Sequence, residues 1–313
     1  MSVVRVPVPA KINLYLGVGP RRGDGYHELT TVYHAIGLYD EITVRRGGTT
    51  AITMDGEGEG DVPLDGRNLA VRAVNALAAR TGADPRVLLH LRKRIPVAGG
   101  LAGGSADAAA ALVACDALWR TGLSRPELAR IAARIGSDVP FLLYGGTAVG
   151  TGRGELVEPV TGGDQVWHWV VAAADGGLST PAVYAELDRL RDEGLARPPQ
   201  VIGAELDRLY AALRQDDPVV LGAALHNDLG AAALSLRPSL RDTLDEGLVA
   251  GAVAGMVSGS GPSCVFLAAD ADAAERIAER LASSGTCRLT RTATGPVPGA
   301  SVRVAATVYG GER

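Results

Sequence analysis

Residues 96–111 decide how this chain is read: Pro96, Val97, Ala98, Gly99, Gly100, Leu101, Ala102, Gly103, Gly104, Ser105 and Ala106, then Asp107 and the alanines to Ala111. Glycines 99, 100, 103 and 104 crowd one short loop, and an alanine-rich run of strong helix propensity follows at once. Glycine lets a backbone turn through φ > 0 and approach a ligand with no Cβ in the way. The helix beyond leaves its first amide N–H groups unpaired beside the positive end of its dipole. Loop and helix start together make an anion cradle, and phosphate is the anion most often held there. No Gly-Lys-Ser/Thr closes the loop as in a Walker A sequence, and Leu101 stands where GxGxxG needs a glycine. Taken alone, such a loop reads equally as a turn before a tightly packed alanine helix. Other segments must decide.

With 313 residues the chain has room for two domains. The texture changes near 150–165, which predicts domains over 1–155 and 156–313. Apolar residues make up 47% and charged residues 21%, a globular balance. A net charge of −4 with no clustered basic face argues against nucleic-acid or membrane partners and for a small-molecule one. Aromatic content is only 4%, so the core must rest on aliphatic side chains. The cysteines, Cys115, Cys264 and Cys287, show no CxxC spacing, which speaks against a disulfide framework or a zinc site. No basic-then-apolar leader opens the sequence and no apolar run reaches about 18 residues. A cytoplasmic protein, a monomer or weak homodimer, is the expectation.

Along the chain, residues 3–18 read as β structure broken by Pro7 and Pro9. Period two puts Ile12, Leu14, Leu16 and Val18 on one face, and Lys11, Asn13 and Tyr15 on the other. That second face either offers a cation and an amide to a ligand or is the solvated side of an edge strand. Tyr26 and His27 follow a glycine hinge, ahead of a strand over 36–44. An amphipathic helix is predicted over 68–80, and a strand over 87–91 that runs into Arg92-Lys93-Arg94. The alanine helix spans 106–119. Ser124-Arg-Pro-Glu127 is a capping-box start for a helix over 126–135. Asp138 precedes Val139-Pro140-Phe141 and either caps a short helix or is free for chemistry. The second half reads as a strand over 167–174 and a charged helix after Leu178–Tyr184. Helices follow over 203–214, 218–226 and 238–251. Gly255–Leu267 is a second Gly/Ser turn entering a strand. A helix over 271–284 and a closing strand over 301–309 complete it.

Three separated segments, Ala10-Lys11-Ile12-Asn13, residues 96–109 and Gly259-Ser-Gly-Pro-Ser-Cys264, together resemble the three motifs of the GHMP small-molecule kinases. Asp24-Gly-Tyr-His-Glu28 and Gly136-Ser-Asp-Val-Pro-Phe141 are similar to the branch that phosphorylates a cytidine-diphosphate ester of methylerythritol in non-mevalonate isoprenoid synthesis. The five segments keep the family's order along essentially the whole chain. The resemblance implies a two-domain α+β fold. An N-terminal ATP-binding domain with a left-handed β-α-β crossover, against the usual handedness, would precede a C-terminal α/β sandwich domain.

It also implies roles. Residues 96–106 would hold ATP phosphates, with Asn68 and Lys93 at the adenosine end and Ser105 in the shell of Mg²⁺. Asp138 would be the base for the substrate 2-hydroxyl and Lys11 its electrostatic partner. Asn13, Tyr26, His27, Thr180 and Tyr184 would bind substrate, the tyrosines by stacking and His27 at the cytosine edge. The chain departs from the family at Gly230, where relatives usually carry an acid, and at Ala102, where glycine is common. A methyl at 102 is tolerable at negative φ and awkward otherwise. The alternatives are a GHMP kinase for homoserine or mevalonate, or a non-catalytic nucleotide- or RNA-binding module.

Overall fold

A computed structural model describes residues 3–97, 99–160, 165–199 and 203–303. In the first half, β1 (Val3–Arg21) and β2 (His27–Arg46) form a long antiparallel pair, followed by β3 (Ala51–Gly56), α1 (Leu69–Thr81) and β4 (Val87–Lys93). Then come α2 (Gly103–Trp119), α3 (Arg125–Ala132), α4 (Val139–Tyr144), β5 (Thr147–Thr151) and β6 (Leu156–Pro159). The second half runs β7 (Trp167–Ala173), α5 (Thr180–Asp192), α6 (Ala204–Leu213), α7 (Pro218–Gly222), β8 (His226–Asn227) and α8 (Leu229–Leu236). It closes with α9 (Leu240–Val249), β9 (Ala254–Val257), β10 (Cys264–Ala268), α10 (Ala271–Ser284) and β11 (Leu289–Gly295).

Among the described residues, one sheet has the order β3-β4-β2-β1-β8, with β5 on β2 and β6 on β5. The other has the order β11-β7-β10-β9. Parallel β3 and β4 are joined through α1, the β-α-β unit of this half. The boundary expected at 155/156 falls at the start of β6, which pairs with β5 in the first sheet. One apolar cluster runs from β1 and α2 through to Trp169, Val171 and Leu267 of the second sheet.

The helix α2 is where the core is densest. Alanines 106, 108–111 and 114 are fully buried, and every residue from Ala106 to Cys115 is buried, so the middle of the helix leaves no face to water. Small side chains let it lie close against β1, β2 and α1 at once. The Ser124–Glu127 capping box forms as read, Glu127 Oε2 accepting from the Ser124 amide at 2.8 Å. Asn68 caps α1 by accepting from the Ala70 amide at 2.9 Å.

Several expectations need correction. Strand β1 is continuous through Pro7 and Pro9, and the register against β2 shifts at Pro9/Ala10 and again at Asn13/Tyr15 and Val18/Arg21. The missing proline N–H groups cost no ladder bond, because β8 joins β1 only at Tyr15 and Leu16. Lys11 and Asn13 are buried, 5% and 3% exposed, so the face they share is not a solvated edge. The helix read over 218–226 stops at Gly222, and His226–Asn227 becomes a strand pairing with β1. Helix α8 and strand β11 were not foreseen. Residues 301–303 carry no strand, and the rest of the closing strand expected over 301–309 lies outside the described residues. No helix among the described residues is long and apolar enough to cross a membrane.

Candidate active site

The three glycine- and lysine-bearing segments meet at one cavity of about 780 Å³, within the range of small-molecule sites. Gly100 has φ 74°, and a Cβ there would stand 2.0 Å from the Ser258 carbonyl oxygen. Only glycine lets the loop before α2 touch the turn before β10. Gly259 (φ 55°) brings that turn over β1, so that its missing Cβ would lie 3.5 Å from Lys11 Nζ. The Lys11 amide donates to the Leu101 carbonyl at 3.3 Å, tying β1 to the loop. Asn227 secures the turn from behind: its Nδ2 donates at 2.8 Å to both the Val257 and Gly259 carbonyls. The sequence carries no pattern that marks Asn227 for that task.

Gly99, Gly100, Ala102, Gly103, Gly104 and Ser105 line the cavity where α2 begins. Leu101 and Ala106 are fully buried and do not line it. Ala102 sits at φ 59°, the awkward left-handed case for a residue with a Cβ. Pro96 and Val97 lie behind the loop, Val97 against the glycine at 58, and Ala98 lies outside the described residues.

Asn68 and Lys93 are not brought to the cavity. Asn68 spends its side chain on α1 and on the Pro63 carbonyl at 2.8 Å. Lys93 is 3% exposed, its ammonium held between Asp40 and Asp107. It stays close behind the loop: a Cβ on Gly103 would come within 3.3 Å of Nζ. Burial pushes the Asp107 carboxyl up to about 7 against the pull of Lys93, and Asp40 adds to the rise.

On the floor of the cavity Lys11 Nζ stands 3.7 Å from Asp138 Oδ2 and donates to Asn13 Oδ1 at 2.8 Å. Asn13 donates in turn to Thr31 Oγ1 at 2.7 Å, which donates to the Tyr15 carbonyl at 2.8 Å. Asp138 precedes α4 but makes no capping bond with its side chain. Its carboxylate is left for Lys11 and for Tyr33, whose hydroxyl donates to Oδ1 at 2.9 Å. Burial, and then the charge of Asp138, pushes the Tyr33 phenol well above its ordinary range, so it remains a donor. Tyr33 went unnoticed in the sequence because it lies in mid-strand with nothing local to distinguish it.

At the far end, His27 is buried and stacks on Tyr184 with ring centroids 5.2 Å apart. Its Nε2 lies 2.9 Å from Asp188 Oδ1, an acceptor on α5 that sequence reading missed. Tyr26 is 55% exposed with the Arg153 guanidinium over its ring, 5.1 Å from the centroid. Thr180 Oγ1 lies 2.9 Å from Ser260 Oγ, linking the start of α5 to the glycine turn. Thus Asn13, Tyr26, His27, Thr180 and Tyr184 share one cavity with Lys11 and Asp138. A glycine cradle at one end, a carboxylate–ammonium pair in the middle and an aromatic clamp at the other suit transfer of a phosphoryl group to a hydroxyl.

Comparison with known proteins agrees with that chemistry. The family described as GHMP kinases N terminal domain matches residues 68–146, and GHMP kinases C terminal matches residues 209–287. A protein of Salinispora tropica named 4-diphosphocytidyl-2-C-methyl-D-erythritol kinase is 67% identical over 299 residues, 96% of this chain and 94% of its own. One of the same name from Streptomyces avermitilis is 56% identical, covering 96% of this chain and 99% of its own. The crystal structure of a 4-(cytidine 5'-diphospho)-2C-methyl-D-erythritol kinase superposes with a TM-score of 0.73 at 31% identity, over 93% of this chain and 98% of that one. A homoserine kinase from Cytophaga hutchinsonii reaches 0.71 at 20% identity, over 97% and 98% of the two chains, a likeness of fold alone.

Proposed function

The chain belongs to the GHMP kinases, in the 4-diphosphocytidyl-2-C-methyl-D-erythritol kinase branch, and as such is an ATP-dependent small-molecule kinase; we propose that it phosphorylates the 2-hydroxyl of 4-diphosphocytidyl-2-C-methyl-D-erythritol in isoprenoid synthesis. The observation that carries this reading is the Lys11–Asp138 pair, 3.7 Å apart, in the same cavity as the glycine cradle and the His27–Tyr184 stack.

The amides at the start of α2 hold the ATP phosphates, through backbone rather than side chains. Asp138 accepts the proton of the 2-hydroxyl, whose oxygen forms a bond to the γ-phosphorus as the bond to the β–γ bridging oxygen breaks and ADP leaves. Lys11, 3.7 Å from Asp138, stabilises the charge gathering on the phosphoryl oxygens. Ser105, a hydroxyl on the cavity wall at the first turn of α2, would take a place in the shell of Mg²⁺; that ion would neutralise phosphate charge. His27 reads the cytosine edge between Tyr26 and Tyr184. In this reading residues 1–155 are the ATP-binding domain and 156–313 the substrate domain, with β8 returning to the first sheet.

The test is ADP release with ATP, Mg²⁺ and the cytidyl substrate, against homoserine and mevalonate. Turnover with the cytidyl substrate alone is expected. Asp138→Asn should then lose roughly 10²–10⁴-fold in kcat while ATP still binds. Release with a control substrate moves the specificity to another GHMP branch, and full activity of Asp138→Asn removes the base.

A further inference from the structure

We propose that Tyr33 is a positioning residue that locks the Asp138 carboxylate so that Oδ1 is engaged and Oδ2 alone faces Lys11 and the substrate hydroxyl. The inference rests on Asp138 being the base. A carboxylate on its own turns broadly about its last torsion and offers its oxygens interchangeably. Here they are divided: Oδ1 accepts from the Tyr33 hydroxyl at 2.9 Å and Oδ2 stands 3.7 Å from Lys11 Nζ.

The ring that delivers this hydroxyl is itself held on several sides. It stacks on Phe141, from the helix that Asp138 begins, with centroids 4.9 Å apart. Lys11 Nζ lies 5.7 Å from its centroid. The β5–β6 hairpin is cut away to admit it: a Cβ on Gly150 would stand 2.5 Å from Tyr33 Cε2, and one on Gly154 would stand 2.2 Å from the phenol oxygen. A residue needed only to fill that space would be better as phenylalanine, since a buried hydroxyl costs free energy unless bonded. Tyr33 is 2% exposed, and the side-chain acceptor it has found is the proposed base.

Tyr33→Phe keeps the ring and removes the donor. The measurement is kcat and both KM values, for Tyr33→Phe, Asp138→Asn and the double variant, with thermal melts alongside. In the wild-type background kcat should fall roughly 10- to 100-fold, as for a misplaced catalytic group, with both KM values within about 2-fold. In the Asp138→Asn background Tyr33→Phe should change the residual turnover by less than about 2-fold, because the two act as a unit. Unchanged kcat, a loss expressed only in KM, or an undiminished loss in the Asp138→Asn background would each overturn the proposal. If Asp138→Asn itself turns over like wild type, the base assignment fails and takes this role with it. An inactive Asp138→Asn beside a fully active Tyr33→Phe removes the role of Tyr33 alone.

Discussion

Gly100 and the Ser258 carbonyl are packed so tightly that a Cβ on the glycine would lie 2.0 Å from the oxygen. Two loops from opposite halves of the chain are thereby set backbone to backbone beside Lys11. The contact joins the cradle to the turn that lies over Lys11, so a side chain there disturbs both.

Gly100→Ala should therefore weaken ATP binding and stability together. A left-handed φ and a backbone clash, neither relieved by a rotamer change, together cost about 1–3 kcal/mol. We expect the KM for ATP to rise about tenfold and the melting midpoint to fall. Wild-type values for both would show that the loops part easily.

Ala102 lies in the left-handed region at φ 59°, where a Cβ is strained by about 1–2 kcal/mol. Ala102→Gly relieves that strain but adds freedom to the unfolded chain worth about 0.5–1 kcal/mol. A net gain of about 0.5–1 kcal/mol in denaturant unfolding is expected, with ATP binding kept. A loss of stability would mean that the alanine methyl packs better than its φ suggests.

Asp188 Oδ1 lies 2.9 Å from His27 Nε2, and a carboxylate there takes the Nε2–H, so that in the neutral ring Nδ1 is the acceptor. An acceptor favours the amino group of cytosine over the carbonyl of uracil. With Asp188→Asn the preference for a cytidine over a uridine diphosphate ester should fall about tenfold in kcat/KM, with kcat on the cytidyl substrate nearly unchanged. An intact preference would assign base reading to other groups.

The buried Lys93–Asp40–Asp107 cluster predicts a pH dependence of stability. The folded Asp107 carboxyl is raised to about 7, burial being the largest cause, above its unfolded value of 3.8. The native state therefore holds a proton that the unfolded state releases, so the contribution of this group is complete below about pH 4 and is lost as pH rises through about 7. Asp107→Asn should flatten the fall in melting midpoint between pH 4 and 7. Lys93→Met leaves two carboxylates without their cation and should cost about 3–5 kcal/mol. Equal slopes for wild type and Asp107→Asn would place the titration elsewhere.

Much of the site was legible because its chemistry is local. The glycine loop, the helix behind it, the alternation that pairs Lys11 with Asn13, and the turn at Gly259 are each written within a few consecutive residues. Tyr33, Asp188 and Asn227 were not, since each acts on a partner brought from a distant segment and carries no local signature. Lys93 entered only through the family resemblance, as a residue at the adenosine end, and nothing along the sequence showed that Asp40 and Asp107 would enclose its ammonium.

Sequence alone determined many of the elements and the local part of the chemistry, because helix propensity, two-residue alternation, caps and glycine turns depend on neighbours along the chain. It could not determine that β1 runs unbroken through its prolines, which depends on which edge lacks a partner. Nor could it determine that His226–Asn227 leaves a helix to join the first sheet. Those outcomes, and the division of Asp138's two oxygens between Tyr33 and Lys11, were decided by tertiary structure. Burial converts distant polar groups into obligatory partners, and only the folded chain says which of them meet.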